Sequence, residues 1–319
     1  MAGCIGFGDA ESLARTSPDL KEFLDPLVSQ FHRLEYLTSD PLEFVHLHSD
    51  PLDQEAVGLL ASQLAYGNVK QIRASVRDAL ERMKEVSDSP SGFIKSLDSQ
   101  VGVKTGLHAF QTFRHRFQTG TDLVSLFTAL SGTWKKEGSL GSAIAIRHRD
   151  AEDLGPSLAA LLAEWKRELG PHTQGLGHFL ASPADGSVCK RWAMYFRWMV
   201  RRDALDPGTW AEGSPLSRTF RGRARLRPAD LILPLDTHTG RIAGYLGLTK
   251  RKSLNWRAAK EITNRLKECD PLDPVKYDFA LCRLGILDLC KKEYRRGICE
   301  SCSLLPVCGY AKRRGRVKR

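Results

Sequence analysis

Nothing in the 319 residues approaches the ~20-residue apolar run needed to cross a bilayer. The opening, "MAGCIGFGDAESLARTSPDL", lacks the basic start and long apolar core of a secretory leader. Long stretches of alternating apolar and polar residues are missing, and a strand-rich fold goes with them. There is no internal repeat and no low-complexity tract. These absences lead us to expect a soluble intracellular protein, in cytoplasm, nucleoid or nucleus, with no membrane partner. In such a compartment eight cysteines read as metal ligands or plain thiols rather than a disulfide framework. The 42% apolar composition suffices for one large domain or two modest ones.

What is present is helical spacing. "DQEAVGLLASQLAYGNVKQIRASVRDALERM" (53–83) carries apolar residues at helical intervals, with Gly67 as a turn or break inside it. The pattern continues in "HAFQTFRHRF" (108–117), "DLVSLFTALSGTW" (122–134) and "LGPSLAALLAEWKREL" (154–169). It returns in "CKRWAMYFRWMVRRD" (189–203), "NWRAAKEITNRLKE" (255–268) and "DPVKYDFALCRLGILDLCKK" (273–292). Two stretches resist it. "PADGS" (183–187) reads as a tight connection, and "AEGSPLSRTFRGRARLRPAD" (211–230) as a loop with Arg218, Arg221, Arg223, Arg225 and Arg227. The closing "AKRRGRVKR" (311–319) reads as a basic, flexible tail.

Charge is divided unevenly. Residues 181–319 hold 30 Lys and Arg against 14 Asp and Glu, so with a total of +11 the first 180 residues are net acidic. One half therefore suits a polyanion, and nucleic acid is the leading candidate; a solvated basic surface without a partner is the bland alternative.

Against that charge, "LILPLDTHTGRI" (231–242) places Asp236 at the end of an apolar run. A carboxylate there is costly unless something satisfies or uses it. It reads as a helix N-cap, as a catalytic group, or as both at once. Five cysteines lie between 282 and 308, three of them as Cys299-x2-Cys302-x5-Cys308, with Cys290 separated from Cys299 by eight residues. Four soft thiolates suit zinc or an iron–sulfur cluster, and the spacing alone does not choose. Cys4, Cys189, Cys269 and Cys282 read as ordinary thiols.

Two of these motifs in this order carry a resemblance. "LPLDTHTGRIAGYLGL" (233–248) resembles the "VDTH…R…NRLGL" segment of the endonuclease III-like helix-hairpin-helix DNA glycosylases, and the four-cysteine cluster follows about sixty residues later, as theirs does. The resemblance implies a catalytic role for Asp236 and a [4Fe–4S] cluster on Cys290, Cys299, Cys302 and Cys308, zinc being the alternative. The first cysteine gap is eight here against six in that family. "EAVGLLASQLAYGNVKQI" (55–72) is similar to the helix whose glutamine fills the space left by an extruded base, which puts Gln63 in that role. The family's phosphate-binding hairpin, "LPGVGRKTA", has "SPADGSVCKRWA" (182–193) as its counterpart. That alignment lays Gly186 on the first glycine, Val188 on the second and Lys190 on the nucleophilic lysine. Taken over nearly all of 25–310, the chain resembles a poorly characterised branch of the same superfamily.

The resemblance implies an all-α, two-lobed fold with a C-terminal four-cysteine cluster. A helical barrel with a degenerate helix-hairpin-helix is expected over 55–210. Residues 1–54 would pack on a cluster lobe, 211–319, that carries the Arg-rich loop and basic tail. The implied function is base excision by a DNA glycosylase, with AP-lyase activity if Lys190 forms a Schiff base. A departing base leaves a cationic sugar, which a fixed carboxylate stabilises. DNA contacts are expected from Gln63, Gly186, Arg191, Arg221, Arg223, Arg225, His238 and Arg241. The expected partner is duplex DNA with a damaged base, bound by a monomer. The rival reading is an Fe–S or zinc nucleic-acid-binding protein without turnover.

Overall fold

The computed structural model describes residues 17–149, 151–220 and 224–316. It is 64% helical with 2% strand, so the chain is all-α. Helix α1 (Ser17–Phe31) leads into the short α2 (Glu43–His46), then α3 (Pro51–Leu64), α4 (Val69–Lys84), α5 (Pro90–Ser96) and α6 (Gln100–Ala109). A small antiparallel hairpin follows, β1 (Arg114–His115) with β2 (Gln118–Thr119), Arg114 opposite Thr119. Next come α7 (Gly120–Glu137), α8 (Leu140–Arg147), α9 (Gly155–Leu169), α10 (Gln174–Phe179) and α11 (Lys190–Val200). A long irregular connection precedes α12 (Thr237–Tyr245), α13 (Trp256–Cys269), α14 (Asp278–Ile286), α15 (Arg296–Glu300) and α16 (Gly309–Arg316).

The helix starts carry the residues that free backbone N–H groups require. Asp50 caps α3 with Pro51 in its first turn, Asn68 caps α4, and Thr119 and Asp122 form a reciprocal capping box on α7. Gly67, at φ +98°, makes the break between α3 and α4 that its position suggested. One helical reading fails. Residues 114–119 form the hairpin, and Arg116 turns its tip in the left-handed region at φ 55°. The helix expected to reach residue 292 also ends early, at Ile286, before Asp288 at φ 58°.

Two apolar cores result. The first is built from Leu37 to Leu231 with Val275 and Phe279 added, around α3, α7, α9 and α11. The second joins Leu24, Leu27 and Phe31 of α1 to Ile232–Leu304, through α12, α13 and α14. The division differs from the expected boundaries. Leu37, Leu42, Phe44 and Val45 pack into the first core, so of the segment before residue 54 only α1 belongs to the second. Trp210, Leu216, Phe220 and Leu226 also face the first core, which moves the later boundary to about Leu231.

Charged groups join the cores. Arg197, on α11, pairs with Asp278 at the start of α14 and with Asp206 at 3.3 Å. Arg201 pairs with Asp206, Asp203 and Asp273. Arg283 donates to the Tyr36 carbonyl at 2.8 Å and lies 4.5 Å over the Phe279 ring. Glu55 stands apart, wholly buried on α3, where it accepts from the Gly141 N–H at 3.0 Å and so caps α8. Burial pushes its carboxyl up to about 8, against the pull of those backbone donors.

Candidate active site

Asp236 sits at the exit of a buried apolar segment, Leu231–Leu235, and is the N-cap of α12. Its Oδ1 accepts from His238 N and Thr239 N, both at 2.9 Å. Oδ2 is thereby left for side-chain partners. Lys190 is the first residue of α11, preceded by Cys189 in the left-handed region at φ 49°. Its Nζ lies 3.9 Å from Asp236 Oδ2, and the two side chains are 27% and 24% exposed. Two helix starts 46 residues apart in sequence thus place an amine and a carboxylate side by side, shielded but reachable from solvent.

Helix α14 supplies two further groups, Cys282, expected to be an ordinary thiol, and Asp278, for which the sequence suggested no role. The Cys282 thiol lies 3.9 Å from Asp236 Oδ2 and donates to it. Burial first, and then the Asp236 charge, push this thiol up to about 12, so it stays protonated at neutral pH. Asp278, one turn earlier, is buried and bonded to Arg197. Burial raises its carboxyl to about 6 against the opposing Arg197 charge; the fields of Asp236 and Lys190 also reach it. The spacing of an acid and a thiol four residues apart, on a helix that also buries Arg283, was the available signal.

A family model described as "Protein of unknown function (DUF2400)" matches residues 40–287. The chain belongs to that family. No curated protein and no solved structure matches it. The matched span of this DUF2400 chain contains Lys190, Asp236, Asp278 and Cys282 and stops before Cys290.

Among the described residues, those expected to contact DNA are not all exposed: Gln63 and Arg191 are turned inward. Gln63 is fully buried, with both side-chain amide atoms unpaired, and only its carbonyl is engaged, by Arg191 at 3.0 Å. Placed so, it cannot enter a duplex without the helix opening. Arg191 is likewise committed to the interior. It also donates to the His178 carbonyl and lies over the rings of Tyr66, at 5.5 Å, and Phe179, at 5.9 Å. Burial lowers its guanidinium to about 10.

Gly186 is exposed at φ +74°, ending a 3-10 turn at Pro183–Asp185, and open space surrounds it. Arg225 is exposed and paired with Glu212 at 2.5 Å; Arg221 and Arg223 lie outside the described residues. His238 packs against Gly285, where an added Cβ would meet the imidazole at 2.5 Å. Arg241 donates from Nη2 to the Cys290 carbonyl at 2.7 Å, which fastens α12 to the cysteine segment instead of to a phosphate.

Cys290, Cys299, Cys302 and Cys308 line one pocket, closed by apolar residues that include Leu284 and Leu304. Backbone N–H groups point at two of the sulfurs, Arg295 N to Cys299 and Ala311 N to Cys308, each at 3.4 Å. Tyr245 and Tyr310 stack beside it with centroids 4.5 Å apart. Burial and the neighbouring thiols raise Cys290 to about 11, while Arg241 pulls it down. Among the described residues, no three His, Cys, Asp or Glu side chains are grouped as a metal ion requires.

Proposed function

We propose that the chain is a DNA N-glycosylase with AP-lyase capacity, acting through Lys190 and Asp236. The observation that carries this reading is the 3.9 Å approach of Lys190 Nζ to Asp236 Oδ2 at two helix starts. As the C1′–N bond to the base breaks, the base leaves with the bonding pair and takes up a proton, and positive charge grows on the sugar. Asp236 Oδ2, whose partner oxygen is held by two backbone N–H groups, faces that charge in a partly dehydrated site. The Lys190 amine forms the new C1′–N bond and passes a proton to Asp236 or water; ring opening then gives the Schiff base from which strand scission by elimination follows. The net charge of +11 supplies the phosphate attraction.

Borohydride added during turnover on a panel of damaged duplexes traps a covalent protein–DNA adduct, and Lys190→Gln traps none. Trapping that persists in Lys190→Gln moves the nucleophile elsewhere. Tight binding without excision across the panel supports the non-catalytic alternative.

The four thiols fit a bound metal group by the chemistry of the donor set and by the two N–H···S contacts. Four soft thiolates suit an iron–sulfur cluster or zinc, and the resemblance to the glycosylase cluster favours the former. Bound there, it would supply rigidity, tying α12 through Arg241 to the α15–α16 segment. Protein purified without oxygen is expected to carry iron and sulfide, and Cys302→Ala to lose both and melt at lower temperature. Stoichiometric zinc with no iron would reverse the assignment.

A further inference from the structure

The hairpin that replaces the expected helix at 114–119 presents an aromatic cluster beside the Lys190 helix. Phe117, 44% exposed at its tip, lies 6.0 Å from Tyr66 and 5.1 Å from His178, each measured between ring centroids. Tyr66 and His178 themselves meet at 4.9 Å, nearly edge to face. Two guanidiniums frame the cluster, Arg116 at 5.6 Å and Arg191 at 5.5 Å from the Tyr66 ring. The Asp122 carboxylate whose field reaches Tyr66 is already taken up by Thr119 and Thr173. Positive charge therefore dominates around the rings. His178 is neutral, its imidazole lowered to about 4 by burial and by Arg191, and its Nδ1 accepts from Gln118 Nε2 at 2.8 Å. Beside Phe117 and His178 lies a depression of about 740 Å³, open to solvent and walled by His172, Thr173, Gln174 and Gly177.

Among the described residues, none covers the exposed face of Phe117. A core aromatic would be covered, and a solubilising hairpin tip would be polar. An exposed ring backed by two others, with the Arg116 guanidinium over the neighbouring Tyr66 ring, matches what an unpaired nucleobase and its phosphate need: a π-face for stacking and positive charge nearby. The cluster is also joined to the candidate active site. Arg191, which follows Lys190, donates to the His178 carbonyl and covers Tyr66.

We propose that Phe117, with Tyr66 and His178 behind it and Arg116 over the Tyr66 ring, is a stacking site for an unpaired DNA base on the strand passing Lys190. This rests on DNA being the substrate, as argued above, and places the entry into the stack on the 114–119 hairpin, a role the buried Gln63 does not fill.

The test uses the full chain and a fluorescently labelled single-stranded oligodeoxynucleotide, with affinity measured over a salt series. Phe117→Ala is expected to bind about 5- to 100-fold more weakly with an unchanged salt slope, as the loss of one stacked base requires. Phe117→Trp keeps wild-type affinity. Arg116→Ala lowers the salt slope by about 0.7, one phosphate contact on a single strand. The half-exposed ring makes Phe117→Ala safe for the fold, and an unchanged melting temperature checks this. Wild-type affinity in Phe117→Ala overturns the proposal, as does tighter binding of the wild type to the matching RNA. Weakened binding in Phe117→Ala from a protein that excises no base would remove the glycosylase reading and leave the stacking site standing. Full excision with no effect of Phe117→Ala would remove only the stacking site.

Discussion

Asp236→Asn is expected to slow the proposed base excision by about a thousandfold in single turnover while leaving the melting temperature close to that of the wild type. The two halves of this expectation have separate causes. Asn is as good an N-cap as Asp, so Oδ1 still accepts from His238 N and Thr239 N and α12 keeps its start. What disappears is the negative charge on the second oxygen, the one 3.9 Å from Lys190 Nζ and from the Cys282 thiol. Loss of one preorganised electrostatic partner of a transition state costs about 10²–10³ in rate, and the charge that would receive the Lys190 proton is lost as well. Asp236→Ala separates the roles from the other side: it removes the cap too, at about 1 kcal/mol of stability. Rate measurements on a duplex that the wild type processes, with chemical denaturation of all three proteins, check both halves. Wild-type excision by Asp236→Asn would leave Asp236 as a cap alone.

Asp236 was legible from local signals at a helix start, whereas Lys190 came from the resemblance of 182–193 to the glycosylase hairpin. Asp236 follows an apolar run and precedes Thr237, and Lys190 follows the Gly186 turn. Their approach was implied by the resemblance and not by local signals, since it depends on how α11 and α12 are set by packing between two cores. For the same reason Asp278 was not read as a site group and Cys282 was read as an ordinary thiol. Periodicity says that a helix face is covered, but not what covers it.

The hairpin was misread because Phe110, Phe113 and Phe117 keep helical spacing, and no Gly or Asn marks the left-handed turn, which Arg116 makes instead. Burial overrode the readings of Gln63 and Arg191. Nearly all of α3 is enclosed, from Glu55 to Leu64, so it offers no surface on which a glutamine could wait. Arg191 is one residue from Lys190, but about 100° further round the helix, and so points into the protein. The all-α class needed none of this information, because it follows from the abundance of 3.6-residue spacing and the shortage of alternation.

Arg197→Met destabilises the fold by about 3–5 kcal/mol at neutral pH, the cost of leaving a buried carboxylate without its partner. Arg197 is 4% exposed and stands between Asp206, 1% exposed, and Asp278, 4% exposed. Asp206 retains Arg201, but for Asp278 Arg197 is the partner that carries a hydrogen bond. The penalty depends on pH in a definite direction. Burial raises Asp278 to about 6 from its ordinary 3.8 even with Arg197 present. A carboxyl raised in this way favours the folded state most when both states are protonated, below about pH 4, and that contribution is lost as pH rises through 6. Without Arg197 the loss is steeper, because nothing offsets the desolvated charge. The difference between Arg197→Met and wild type is therefore largest above pH 6 and shrinks toward pH 4. Denaturant titrations at pH 4 and pH 7 check this; a penalty that grows on acidification would contradict it. Adding Asp278→Asn to Arg197→Met removes the orphaned charge and restores most of the stability at pH 7. Because Asp278 adjoins Lys190 and Asp236, that double variant also separates two uses of the ion pair. Excision recovered with stability means that Arg197 and Asp278 serve to seat α14, whereas excision still lost in a stable protein means that the Asp278 charge acts on the site.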